Sequence, residues 1–474
     1  MDNLIHWTLP YLILVLVIGA FGFVAKRKLL YIAALVILWT GTFTISGVGV
    51  SPEKLFLCIV FAYVVIFRLS NRGPQIPFFW SYFLLICYFV IYSILMSFQV
   101  PLNELSNLSP TALQIPPLRG ILSTILFCIS AVLIYFPFSN NGHPENLRTI
   151  LRVMFGSAGF VMLVFALQLI FKILIPSMDS IFSALSSDSL KVIVDLPGDG
   201  FLDFRPSLFS SEPKYFGLAF GNIAAFAILQ RRIRLPYLAV WISSPFFLIA
   251  CLFCLVISSS VAAASSFLVG CSAILYLTES KRITIGRRVT GFFWVSLFVT
   301  FVAVLIFVDS DFTQRFELYI RLSQGGFNDN SNGANLSTTA YILWMLNDPS
   351  KLFFGVGFGN GAFYAFDYIS GNSGFSQQGF SSSRVPIIDL ISSVGIFGAS
   401  LLYFLWFRFL SYIHVCSKKL SSDKSQELLF VRGCIIYYIF SGFIYNTNMY
   451  VWLFFGLAFS IVYSCKRRGL MNAI

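Results

Sequence analysis

Apolar runs of about 15–23 residues, long enough to cross a bilayer core, recur along most of this chain. A basic cluster follows every second run. The clusters are Lys26-Arg27-Lys28, Arg68 with Arg72, Arg148 with Arg152, Arg231-Arg232-Arg234, Lys281-Arg282 with Arg287-Arg288, Lys418-Lys419-Lys424 and Lys466-Arg467-Arg468. Basic residues collect in cytoplasmic loops, so this alternation sets both the spans and their direction. The expected spans are 8–25, 29–47, 55–69, 77–98, 120–138, 153–175, 214–229, 236–257, 260–278, 289–308, 386–413, 431–446 and 449–464. An all-α polytopic membrane protein of about 12–13 transmembrane helices follows, as one integral membrane domain over residues 1–474. Its N-terminus is expected outside and its C-terminus inside. Splitting the last apolar stretch at Asn446-Thr447-Asn448 keeps Lys466-Arg467-Arg468 inside.

Composition agrees. Only 11% of residues are charged and 57% are hydrophobic, too little charge to cover a soluble domain. The net charge of +12 is explained by the basic loops, so no nucleic-acid partner is expected. The run Thr8–Ala25 has Asp2 before it and basic residues after it, the reverse of a signal peptide, and reads as a span. Nine cysteines lie in spans or at their cytoplasmic edges, and none in an outer loop. Cys251 and Cys254 form a C-x-x-C inside an apolar run, which reads as core packing.

Two loops on the expected outer face are long: 176–213 and 309–385. Loops of this length usually carry structure and function. Within the second, "TQRFELYIRLS" and "LSTTAYILWML" read as helical. The two loops and the span entry between them carry Arg205, Lys214, Arg315, Arg321, Lys351 and Arg384, where the charge rule disfavours cations. A guanidinium fork matches phosphate or carboxylate, and the anion natural to a membrane surface is a lipid-linked phosphate. The competing reading is pairing with the loops' own carboxylates.

In "FRPSLFSSEPKYFG", Ser211 suits a helix N-cap and Pro213 a first helical turn. The span's N-terminus then points outward, its positive dipole end toward a bound phosphate, with Arg205 adding charge. Glu212 reads either as a partner for Arg205 or Lys214 or as a general base. Gly355, Gly357, Gly359 and Gly361 alternate in "FFGVGFGNGAF", which suits close approach of backbone N–H groups to a ligand or a tight turn back to the membrane. Asp309-Ser310-Asp311 has the form of a metal-binding D-x-D but is short enough to arise by chance. Of the three histidines, His6, His143 and His414, none is in a large outer loop, so Ser-His-Asp, Cys-His and His-metal chemistries are not expected there. Arg119 and Lys172 lie near span ends, where they read as snorkelling anchors.

Four stretches, "RPSLFSSEPKYFGLAFGNIAAFAIL", "LVISSSVAAASSFLVG", "NDPSKLFFGVGFGN" and "SRVPIIDLISSVGIFG", resemble in order and spacing the O-antigen polymerase/ligase superfamily over residues 200–415. The resemblance implies a GT-C-like membrane fold in the bacterial inner membrane, with an active site on the periplasmic side and no metal or other cofactor. The ligases' His is replaced here by Arg384, and Arg384 to Gly395 matches the R-x10-G spacing of the polymerases. Arg315 to Gly326 repeats it. Ser258-Ser259-Ser260 departs from the Ser-Arg-Gly of many relatives.

The implied activity is a repeat-unit polymerase. It would transfer a growing undecaprenyl-pyrophosphate-linked glycan to a lipid-linked repeat unit, with a chain-length regulator as a further partner. Arg205, Lys214, Arg315 and Arg321 are expected to bind pyrophosphate or glycan. Arg384 is expected to act in catalysis, and Glu212 or Asp389 to be the base. Alternatives are a ligase to lipid A-core and a lipid-linked oligosaccharide flippase. A flippase should carry ionisable residues mid-span, whereas most of these span interiors are apolar and the unusual charges cluster in the outer loops.

Overall fold

The computed structural model describes residues 43–45, 48–50, 61, 64, 76–100, 116–139, 145–174, 213–258, 260–277, 341–364, 385–444 and 448–467. All long elements among them are helices. A short antiparallel pair, β1 (Phe43–Ile45) and β2 (Val48–Val50), is joined in register Phe43↔Val50 and Ile45↔Val48. This hairpin corrects the expected span 29–47 at its end. The β-branched and aromatic "FTISGVGV" pairs with itself instead of extending a helix.

The long described helices overlap the expected spans, with ends displaced by up to nine residues. The helices are α1 (Phe79–Ser97), α2 (Pro116–Val132), α3 (Phe136–Ser139), α4 (Glu145–Leu174), α5 (Pro213–Ile233), α6 (Pro245–Ile257) and α7 (Val261–Leu277). Then come α8 (Pro349–Phe354), α9 (Gly361–Tyr364), α10 (Pro386–Ser417), α11 (Ser422–Ser441) and α12 (Asn448–Arg467). Expected spans 8–25, 55–69 and 289–308 lie outside the described residues apart from residues 61 and 64.

Among the described residues, five helices are long and apolar enough to cross a membrane: Phe79–Ser97, Leu118–Tyr135, Leu147–Ile170, Pro386–Ser417 and Met449–Arg467. The chain is thus a helical membrane protein. Span 236–257 starts later than expected. Ser244 accepts a hydrogen bond from the Phe247 N–H at 3.1 Å and Pro245 occupies the first turn, so α6 begins there. The last apolar stretch divides as expected: α11 ends at Ser441, a turn follows, and α12 packs back against α11.

Lipid is as apolar as leucine, so helix association rests on close packing rather than on burial from water. Met449–Arg467 is the most enclosed of the five and Phe79–Ser97 the least. Around the enclosed helix, Trp452 meets Trp406 edge-on at 5.6 Å, and Phe226 meets Phe454 at 5.8 Å. Small residues admit these bulky ones. A Cβ on Gly456 would strike the Ile134 carbonyl, and one on Gly433 would meet Leu229 at 2.6 Å. Cys251 and Cys254 are buried free thiols, as the packing reading expects. Arg432 ties three helices together: it donates to the Leu277 carbonyl at 3.3 Å and lies 3.2 Å from His414 Nδ1.

Candidate functional site

The C-terminal end of α1 and the N-terminal ends of α2 and α10 meet at one end of the bundle, the end that the charge alternation expects to face outward. Part of the second long loop folds into this meeting point. Residues 341–347 are helical, as "LSTTAYILWML" suggests, and α8, a glycine-rich turn and α9 follow.

The glycine run is a turn wedged among three helices. Gly355, Gly357 and Gly359 have φ of 74°, 84° and 76°, the left-handed region that glycine enters without strain. The Val356 N–H donates to Ser392 O at 2.8 Å and the Gly357 N–H to Ser393 O at 2.7 Å. Tyr92 of α1 donates its hydroxyl to Gly355 O at 2.9 Å, and the Phe358 N–H reaches Ser93 Oγ at 3.1 Å. Asn360, wholly buried, donates to Val356 O at 2.9 Å and to Ser97 Oγ at 3.1 Å. The Phe358 ring stacks on Phe127 of α2 at 4.5 Å. These N–H groups are spent on the protein's own backbone and side chains. Of the two readings of the run, the ligand cradle is therefore replaced by the tight turn.

Helix α10 accommodates the turn by breaking. Gly395 stands at φ 69°, ψ 173° inside it, and a Cβ there would strike the Phe353 carbonyl. The carbonyls of Ser392 and Ser393, released from the helical ladder, accept the N–H groups of Val356 and Gly357. The broken first turns carry Asp389, whose own carbonyl accepts the hydroxyls of Ser392 at 3.0 Å and Ser393 at 2.6 Å.

Around this wedge the structure gathers charge. Arg119, in the first turn of α2, is half-buried, with its guanidinium 5.5 Å from the centre of the Phe363 ring. Tyr341 is buried, and a Cβ on Gly361 would touch its ring at 2.8 Å. Burial pushes the Tyr341 hydroxyl far above its ordinary pKa. Asp389 pushes it further up and Arg119 pulls it back. Arg119, Tyr341 and Asp389 thus share one electrostatic neighbourhood, although they come from α2, the loop and α10. This corrects the anchor reading of Arg119, whose side chain lies against the folded loop. Beside it, Trp344 stacks on Tyr364 at 6.0 Å, and the Lys351 ammonium sits 5.3 Å from the centre of the same Tyr364 ring. Lys351 is therefore held against an aromatic ring.

Of the seven residues expected to carry binding or catalysis, Asp389 is described with its side chain and Lys214 as the second residue of α5. Pro213 opens that helix as expected, while its proposed cap, Ser211, lies outside the described residues. Arg205, Glu212, Arg315, Arg321 and Arg384 also lie outside them. Sequence reasoning missed Arg119 and Tyr341. One signal was available for the arginine, a lone cation two residues after Pro116-Pro117 at the head of an apolar helix.

Comparison with protein-family models and with curated proteins yields no match to this chain.

Proposed function

We propose that the protein is a membrane glycosyltransferase, a repeat-unit polymerase that works on lipid-pyrophosphate-linked glycans at the outer face of a bacterial inner membrane. The observation that supports this reading best is the convergence of Arg119, Tyr341 and Asp389 where the second long loop enters the helix ends. A cation and a carboxylate sharing one neighbourhood at a membrane boundary suit a reaction in which an anionic group leaves and a hydroxyl loses its proton.

In this reaction an acceptor sugar hydroxyl attacks the anomeric carbon of the lipid-linked donor glycan. The new glycosidic C–O bond forms as the bond to pyrophosphate breaks, and the polyprenyl pyrophosphate departs with the bonding pair. Asp389 or Glu212 takes the hydroxyl proton. Arg119 joins Arg205, Lys214, Arg315, Arg321 and Arg384 as a cation that offsets charge on the pyrophosphate. Preorganised cations of this kind lower the barrier most where water is scarce.

Deleting the gene and resolving lipopolysaccharide on a gel tests the proposal. The polymerase reading expects core bearing one repeat unit and no ladder. Bare core with accumulated lipid-linked polymer would instead indicate a ligase to lipid A-core. Lipid-linked single units trapped on the inner leaflet would indicate a flippase. Arg384→Ala is expected to reproduce the deletion while the protein still inserts.

A further inference from the structure

Further along α10, past its midpoint, a groove opens between α10 and α1. It has a volume of about 300 Å³ and apolar walls that include Leu84 and Tyr88 from α1 and Leu401 and Phe404 from α10. Leu84 of α1 and Phe404 of α10 are each 62% exposed. The helices run antiparallel along the groove, so its polar residues, Ser81 and Arg408, meet at one end. From Ser81 to Tyr88 the groove is about 10 Å long, at 1.5 Å rise per residue.

Arg408 is an exposed cation inside an apolar segment. Its guanidinium lies 4.2 Å over the Phe78 ring. Phe78 is itself held at φ 53°, just ahead of α1, by stacking on Phe409 at 6.3 Å and edge contact with Tyr412 at 6.1 Å. A guanidinium carries five N–H donors, and a ring accepts none of them as a carboxylate would, so donors remain for an anion. Among the described residues no carboxylate pairs with Arg408. An arginine that served only to anchor the helix would need no groove beside it.

We propose that this groove is a binding site for an anionic phospholipid of the leaflet at that end. The phosphate sits at Arg408 and Ser81, and one acyl chain lies along the apolar wall. A basic residue at the headgroup end of an interhelical groove selects anionic over neutral lipids. The site is remote from the Asp389 end of α10 and does not rest on the catalytic reading.

Native mass spectrometry of the full-length protein in detergent tests it, with phosphatidylglycerol and phosphatidylcholine of the same chains as probes. The wild type is expected to retain phosphatidylglycerol with about a five-fold preference, the size typical of one cation at a membrane surface. Arg408→Gln should abolish the preference, and Arg408→Lys should keep part of it. Leu84→Trp, a change at an exposed wall position, should lower retention of both lipids. Equal retention of the two lipids by the wild type would overturn the proposal, as would a preference surviving Arg408→Gln. Unchanged retention in Leu84→Trp would overturn it even if the Arg408 variants failed to insert. Displacement of phosphatidylglycerol by an equal concentration of polyprenyl phosphate would assign the groove to another lipid and also defeat it.

Discussion

At Gly395 one residue determines whether the loop and the helix fit together. Its φ of 69° is open to glycine, and any side chain there would meet the Phe353 carbonyl. Gly395→Ala is expected to destabilise the protein by about 1–3 kcal/mol. A lower thermal midpoint in detergent would register this, and an unchanged midpoint would refute the strain. Gly395 was legible as the end of an R-x10-G spacing, but its role as the break in α10 was not. A left-handed φ follows from what packs against the residue. Arg119 makes the same point: its position at a span head was visible, and its contact with a loop more than two hundred residues away was not. Arg119→Ala should cut polymer formation by about ten-fold or more, in line with loss of one charge-stabilising group. Arg119→Lys should restore part of it, because it keeps the charge and loses the fork. A normal ladder in Arg119→Ala would remove Arg119 from the site. Asp389→Asn is expected to slow polymerisation in the same gel assay if Asp389 is the base, whereas full activity would leave Glu212 in that role.

Among the elements, the wedge formed by α8, the glycine turn and α9 is held by hydrogen bonds as well as by apolar contact. Asn360 bridges Val356 O and Ser97 Oγ while wholly buried. Asn360→Leu leaves both partners without their donor, a loss of about 1–3 kcal/mol. Hydrogen exchange should show it as faster exchange of the Val356 and Gly357 amides, and unchanged exchange would mean that the turn is held by something else. The helix starts at Pro213 and Pro386 were legible, whereas Pro245 and Pro349, which also occupy first turns, were passed over. The β1–β2 hairpin was missed because a short β-branched run reads equally as the end of an apolar helix.

Over the whole molecule, the charge alternation expects the loop around Ser350 and the loop around Lys419 on opposite sides of the membrane. In a cysteine-free background, Ser350→Cys should react with an impermeant maleimide added from outside, and Lys419→Cys should react only after the cells are opened. Labelling of both from one side would overturn the topology. Hydropathy by itself determined that this is a helical membrane protein and roughly where its described helices lie. Those properties are local, since each apolar run must satisfy its own backbone hydrogen bonds in lipid. Tertiary structure alone decided that α10 breaks at Gly395, that the glycine run fills the break, and that Arg119, Tyr341 and Asp389 stand together. These depend on which helix faces meet, and an apolar helix that is greasy all round does not announce which of its faces will find a partner.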